Sequence, residues 1–298
     1  MGISIGLVGL GSFGACFAPL FKNHPWVDRI GFCDVESDRV ARFFHDPFYA
    51  RKIRAADCYV SLDAICKADF DALVIITQPW LHAPQCIQAL ESGKDVYSAV
   101  PVISIPDDDQ TLDWCDRQGD PYFADSAFSN EMALFKMRNG ATVRICEMRE
   151  TPGCPGADSE TFRVFGTHGS FSENRWWTIR RPDFAAIDLK HLPKPTCQAL
   201  TDPEMFDKLP PEVEHAFKQV ANPSLSDAEL KETDFRPGGH GGSHPYLVHE
   251  FVSAVLERRR PAINVWEAVR YMAMGVTAHQ SALKDGETLK VPDWGDPV

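Results

Sequence analysis

At 298 residues, 44% apolar and 24% charged, the chain is long enough for two domains and has the composition of an ordinary folded protein. Its net charge of −12 argues against nucleic-acid backbones and anionic membrane surfaces as partners, because both would repel it. The nine cysteines are odd in number and none is spaced as C-x-x-C, which fits free thiols in a reducing, cytoplasmic setting and supports neither a disulfide frame nor a zinc site.

The N-terminus is apolar up to Lys22, as a secretory leader would be, but it has no basic start and carries glycines at 6, 9, 11 and 14. No uninterrupted apolar stretch reaches the roughly 18 residues that a membrane span needs. Residues 3–8 (ISIGLV) read as a buried strand, GLGSFG follows at 9–14, and an apolar helix runs through Phe21. A second strand, RIGFCD, ends at Asp34, and helical spacing resumes with Val40, Phe43 and Phe44. DALVIIT (71–77) is continuously apolar, as in a strand covered on both faces. A helix over about 80–92 stops at Gly93, and DVYSAV follows as the next strand. This alternation predicts βαβ units and a doubly wound parallel sheet.

After about residue 118 the rhythm changes. EMALFKM, ATVRICEMRE, TFRVFG and WWTIRR are strand-like, with turn signals at RNG (138–140) and GTHGS (166–170). Short connections between consecutive strands predict an open, mostly antiparallel sheet, so the expected division is a Rossmann domain over 1–118 and an α+β domain over 119–298. Residues 193–238, rich in proline and acidic residues, read as a surface excursion with one short helix near 211–220. Two helices close the sequence, one starting near Ser243 and Pro245 and one over about 264–283 with a stripe of Val265, Val269, Met272 and Val276.

Gly9, Gly11 and Gly14 form G-x-G-x-x-G between a strand and a helix. Gly9 allows the tight turn, Gly11 lets the backbone approach a pyrophosphate at the helix N-terminus, and Gly14 permits close packing. Asp34 ends the second strand about twenty residues further on, where a carboxylate accepts from a ribose 2′-hydroxyl and repels a 2′-phosphate. The loop Gly9, Leu10, Gly11, Ser12, Phe13, Gly14 with Asp34 is therefore the expected dinucleotide site, with NAD favoured over NADP. Arg39 lies near in sequence and reads as a solvated helix residue.

Four segments extend the pattern: GLVGLGSFG; VIITQPWLHAPQCIQALESGKDVY with Thr77, Pro79 and His82 as T-x-P-x-x-H; FRVFGTHGSF; and HPYLVHEFVSAVLERRRPAINVWEAVRYMAMGVTAHQSALKDGE. With them the chain resembles the Gfo/Idh/MocA family of dinucleotide-dependent sugar and cyclitol enzymes. The resemblance implies a Rossmann domain followed by an open sheet that often forms the oligomer interface, hence a homodimer or homotetramer. It implies that Thr77, Gln78 and Pro79 line the cofactor path with Trp80 and His82 nearby. Many members carry a Glu-Lys-Pro motif after the fifth strand, whose lysine assists proton transfer; here the motif aligns with Ala99, Val100 and Pro101. Valine can neither donate nor accept a proton, and such groups typically contribute ~10²–10⁴-fold. NAD-dependent glycoside hydrolases of the α-N-acetylgalactosaminidase type also resemble this chain, both in a valine there and in GGHGGSHPYLVHE. The family's usual block between this motif and the open sheet, with its acid–base histidine, has no counterpart in PDDDQTLDWCDRQGDPYFADSAFSNEMALF, where one helix over about 107–117 leads almost directly into strands.

The candidates for chemistry are therefore His82, His240 and His244, with His240, His244 and Tyr246 as candidate substrate contacts. His82 follows the DALVIIT strand on the expected nicotinamide side, and a structural role at the helix start weighs equally. His240 and His244 flank GGS before a helix, which reads either as a ligand loop or as a flexible capped helix start. Tyr246 suits either a sugar hydroxyl or packing, and His249 reads as surface or interface. Three functions remain open: an NAD-dependent oxidoreductase acting on a sugar or cyclic polyol, a redox-neutral NAD-dependent glycosidase or lyase, and a cofactor-binding protein with little catalysis.

Overall fold

The computed structural model describes residues 2–102, 130–148, 163–166, 169–172, 175–179, 184–188, 209–235, 239 and 242–295. The chain divides into two compact units, Met1–Ala127 joined by Asp207–Val298, and Phe128–Phe206. The N-terminal unit is built on a parallel Rossmann sheet and the second unit on antiparallel sheets, as the sequence patterns predict. Against the expected 1–118 and 119–298, the first unit runs to residue 127 and takes in residues 207–298 as well.

The parallel sheet consists of β1 (Ile3–Val8), β2 (Val27–Cys33), β3 (Cys58–Tyr59), β4 (Ala72–Ile75) and β5 (Asp95–Ser98), in the order β3-β2-β1-β4-β5. Its connections are α1 (Ser12–Asn23), α2 (Ser37–His45), α3 (Leu62–Cys66) and α4 (Pro79–Glu91). Side chains alternate across each strand, so one continuous apolar run feeds two cores. Ile5 and Leu7 of β1, with Ala72 and Val74 of β4, meet Phe17, Phe21, Ile30 and Phe32 on one face. Val8, Leu73 and Ile75 meet Ile65, Cys66, Cys86 and Ala89 on the other. Burying one such large apolar side chain stabilises the fold by about 1.5–3 kcal/mol. The short strand β3 and helix α3 have too few residues to show a period; Ser61 caps α3 by accepting from the Ala64 amide at 3.3 Å.

Residues 209–235 are not the expected surface excursion. They form α5 (Pro211–Ala221) and α6 (Asp227–Glu232), and Leu209, Val213, Phe217 and Leu230 are buried. Proline and acidic residues are frequent here, but Val213, Ala216 and Phe217 fall at helical spacing on one face of α5, which lies against α1. The helix α7 (His244–Glu257) follows, packing Val248, Phe251 and Val252 into the first core. Phe251 meets Phe21 and Tyr97 edge-on at 6.3 and 5.5 Å. The final helix α8 (Val265–Ala282) is capped by the Asn264 side chain, which accepts from the amides of Trp266 and Glu267. Its expected apolar stripe is only partly covered: Val265 is exposed while Ala273 and Thr277 are buried.

A histidine pair fastens α7 to the end of α1. His24 is fully buried, and its Nε2 lies 3.1 Å from Nδ1 of His249. Burial, then the neighbouring His249 and Lys52, push the His24 imidazole down to about 3. The main-chain carbonyl of His24 also accepts from Lys52 Nζ at 3.0 Å, and burial lowers that ammonium to about 8. His249, expected at the surface or an interface, is half-buried in this contact.

In the second unit, β6 (Asn130–Lys136) and β7 (Thr142–Met148) form an antiparallel hairpin. Its turn is closed by Gly140, at φ +87°, and by the Met137 amide on the Ala141 carbonyl at 2.8 Å. A separate sheet contains β8 (Val164–Phe165), β9 (Gly169–Ser172), β10 (Arg175–Ile179) and β11 (Phe184–Asp188), in the order β11-β10-β9-β8. The strand β11 and the extent of β9 are not signalled by the sequence pattern. The helix expected at 107–117, and the segment where the sequence suggests that the family's middle block has no counterpart, lie outside the described residues.

Candidate functional site

In an open α/β sheet, ligands bind outside the carboxyl ends of the strands where the strand order reverses. Here that place is between β1 and β4, and the glycine loop leaves β1 at this point. Gly9 has φ +95°, and a Cβ there would run into the Ile76 carbonyl. A Cβ on Gly14 would likewise strike the Gly9 carbonyl. A Cβ on Gly11, by contrast, would meet nothing closer than Nη1 of Arg39 at 4.0 Å. The first and third glycines are thus required by packing, while the second faces open space at the start of α1, as a diphosphate cradle requires.

Beside this loop lies a cleft of about 430 Å³, lined by Leu10, Gly11, Ser12, Ala15, Arg39, Arg42, Phe43 and Asp46. Asp34 stands behind it, 6% exposed. Its Oδ2 accepts the Leu10 amide at 2.7 Å and its Oδ1 accepts the Glu36 amide at 3.0 Å. Each carboxylate oxygen has a second lone pair, so Asp34 fixes the loop and can still accept from a ribose. Cys33, next in the chain, is a buried thiol pushed up to about 12 by burial and by Asp34. Arg39 is not a merely solvated helix residue. Its Nη2 pairs with Glu36 at 2.8 Å and its Nη1 sits 3.7 Å from Asp34 Oδ2, across the mouth of the cleft.

The other end of the crevice is made by the exits of β4 and β5. Thr77 follows β4, and its Oγ1 donates to Gln85 Oε1 at 2.6 Å. Gln78 precedes α4, Pro79 occupies its first turn, and Trp80 is half-buried behind them. His82 is 1% exposed. Its Nδ1 lies 2.8 Å from the Pro101 carbonyl and its Nε2 3.0 Å from the Thr77 carbonyl. Both ring nitrogens therefore face main-chain oxygen, not the open cleft. Ala99 is buried, with its amide on the Ile75 carbonyl at 2.9 Å, whereas Val100 is 80% exposed.

Of the other candidates, His244 is buried and not part of an open loop. Its ring stacks on Phe17 at 4.3 Å and meets Phe13 edge-on at 5.7 Å, so it packs beneath the start of α1. Tyr246 is half-buried, its ring 6.5 Å from Phe235, and burial raises its phenol. His240 lies outside the described residues. The structure thus brings Gly9–Gly14, Asp34 and Thr77 to one crevice, places His82 behind it, and packs His244 into the adjoining core. Sequence reasoning placed Arg39 near Asp34 but as a solvated helix residue, and it did not single out Arg42 on the cleft wall or Gln85 as the partner of Thr77. Among the described residues no group of three or more His, Cys, Asp or Glu could hold a metal ion, and no helix is long and apolar enough to cross a membrane.

A doubly wound sheet with this loop and a carboxylate at the end of β2 defines a dinucleotide-binding protein. Residues 3–125 match the Gfo/Idh/MocA family model, described as an oxidoreductase family with an NAD-binding Rossmann fold, and NAD is the cofactor of that fold. A glycosyl hydrolase family 109 protein of Saccharopolyspora erythraea is 28% identical over 98 residues, which is 32% of this chain and 21% of that protein. The match spans about a fifth of the curated relative's length. Among solved structures, a levoglucosan dehydrogenase in complex with NADH aligns with a TM-score of 0.61 and 14% identity, over 98% of this chain and 100% of the other. An oxidoreductase from Agrobacterium radiobacter in complex with NAD+, L-tartaric acid and magnesium aligns with a TM-score of 0.60 and 12% identity, over 98% and 99%. At these identities the likeness is one of fold.

Proposed function

We infer that the chain is an NAD-dependent oxidoreductase of the Gfo/Idh/MocA type whose substrate is a sugar or cyclic polyol. The observation that carries this reading is the glycine loop closed onto Asp34, within the segment that matches the family. Main-chain amides at Gly11 and Ser12 hold the diphosphate at the N-terminus of α1, and Asp34 accepts from the adenosine ribose, which favours NAD over NADP. Bound NAD supplies a hydride acceptor. The similar structures with NADH or NAD+ bound, one of them a levoglucosan dehydrogenase, support a polyhydroxylated substrate.

A second reading rests on Val100. An exposed valine stands where the family's lysine would, so proton transfer of the usual kind has no donor there. The glycosyl hydrolase family 109 relative, matched over 98 residues, supports cleavage of a glycoside. Incubation with NAD and a panel of polyols and aryl glycosides separates the readings. NADH absorbance accumulating with a polyol supports the first. Release of the aryl group at trace NAD, with no net NADH, supports the second. NAD binding without turnover of any compound would leave a binding protein.

Self-association belongs to the same reading. The β6–β7 hairpin exposes Met132, Leu134 and Ile145, and the family's open sheet supports a dimer or tetramer; light scattering giving a monomer mass would contradict this. The free thiols support a cytoplasmic setting, and the acidic surface disfavours nucleic acid and membranes as partners.

A further inference from the structure

His82 stands where a catalytic histidine is sought, yet its surroundings give it other work. The ring is 1% exposed and touches two carbonyl oxygens, Thr77 at the exit of β4 and Pro101 just past the exit of β5. In either neutral tautomer one nitrogen donates to one of these carbonyls, and in the imidazolium both donate. The partners are adjacent strands of one parallel sheet, so the ring links two strand ends beyond the last ladder bonds. On β5 that last bond is the Ala99 amide on the Ile75 carbonyl. Ala99 is held by the ladder and Pro101 by His82. Val100, between them, is turned outward with 80% of its surface exposed.

We propose that His82 is a positioning residue for the nicotinamide half of the cofactor, holding the 99–101 arch and the Thr77 exit in one shape. The proposal rests on the NAD reading above: with the diphosphate on the glycine loop and the adenosine ribose at Asp34, the rest of the dinucleotide runs toward the ends of β4 and β5. His82 then governs binding of that half alone. Removing it leaves the adenosine site intact, because Gly9–Gly14 and Asp34 are held by other bonds, among them Leu10 and Glu36 amides on Asp34.

The test compares NADH with ADP-ribose, which shares the adenosine half and lacks nicotinamide, by calorimetry on the full chain. Wild-type protein binding ADP-ribose and NADH establishes the underlying reading; failure to bind either sinks that reading separately. His82→Ala removes the ring and the hydrogen bond it donates, so the Thr77 and Pro101 carbonyls lose their link and NADH affinity falls about tenfold or more while ADP-ribose changes less than about twofold. His82→Asn, whose amide nitrogen falls near the position of Nδ1, keeps the Pro101 contact and recovers most of the loss. Equal losses for the two ligands, or none, would overturn the proposal. If both variants misfold, hydrogen exchange on wild-type protein decides: NADH, but not ADP-ribose, slows the amides of Ala99, Val100 and Val102. Identical protection by both ligands contradicts it.

Discussion

The two ends of the crevice are built on opposite principles. At the glycine-loop end a buried carboxylate, two arginines and a helix N-terminus converge, with Asp34 bonded to the Leu10 and Glu36 amides and Arg39 paired with Glu36. At the β4–β5 end the groups that might move a proton are engaged elsewhere. His82 faces two carbonyls, Thr77 Oγ1 donates to Gln85, and the residue turned outward is a valine. Affinity for a dinucleotide is thus built into the first end, while at the second His82 and Thr77 are engaged in holding the fold.

The contrast can be broken most severely at Gly9. Gly9→Ala places a Cβ against the Ile76 carbonyl at φ +95°, so a stability loss of about 2–4 kcal/mol and loss of NAD binding are expected, read by thermal melts and calorimetry. Asp34→Ser removes the acceptor for Leu10 and frees Arg39. NAD affinity should fall roughly 10-fold or more while NADP affinity holds or rises, so the ratio of the two Kd values checks it. A ratio unchanged by the substitution would detach Asp34 from cofactor choice.

A subtler effect concerns pH. His24 is held near 3 in the folded protein against an unfolded value near 6.5, so between these values the unfolded chain binds more protons. Stability from this group is complete above about pH 6.5 and is lost as pH falls, by about 2 kcal/mol between pH 7 and pH 5. His24→Gln should flatten that part of the urea-midpoint profile; an unchanged slope would show that the buried pair with His249 does not govern it. Val100→Lys has the smallest expected effect. The site is 80% exposed, so stability should shift by less than about 0.5 kcal/mol, and the lysine alone should not produce rapid NADH formation with polyols. Fast alcohol oxidation by this variant would place the catalytic shortfall at one residue.

The same contrast explains what could be read in the sequence. The glycine loop and Asp34 are local: a strand, three glycines and a carboxylate at a fixed offset specify both fold and ligand. The strand ISIGLV and the run DALVIIT were legible because a parallel sheet buries both faces of each strand. His82 was legible as a position but not as a role, since its partners are main-chain carbonyls 5 and 19 residues away, brought to it by tertiary structure. The same holds for His244, whose sequence allows a ligand loop or a helix start and whose ring stacks on Phe17 from a distant helix. Residues 209–235 misled through composition, because Val213, Ala216 and Phe217 fall on one face of a helix and are buried there.

Calorimetric titration of NAD and NADP into the purified, folded chain, with analysis for copurified nucleotide, bears most directly on the grip of the glycine loop and Asp34. One NAD per chain, bound more tightly than NADP, is the outcome this geometry requires. No heat with either nucleotide, and none carried through purification, would contradict it.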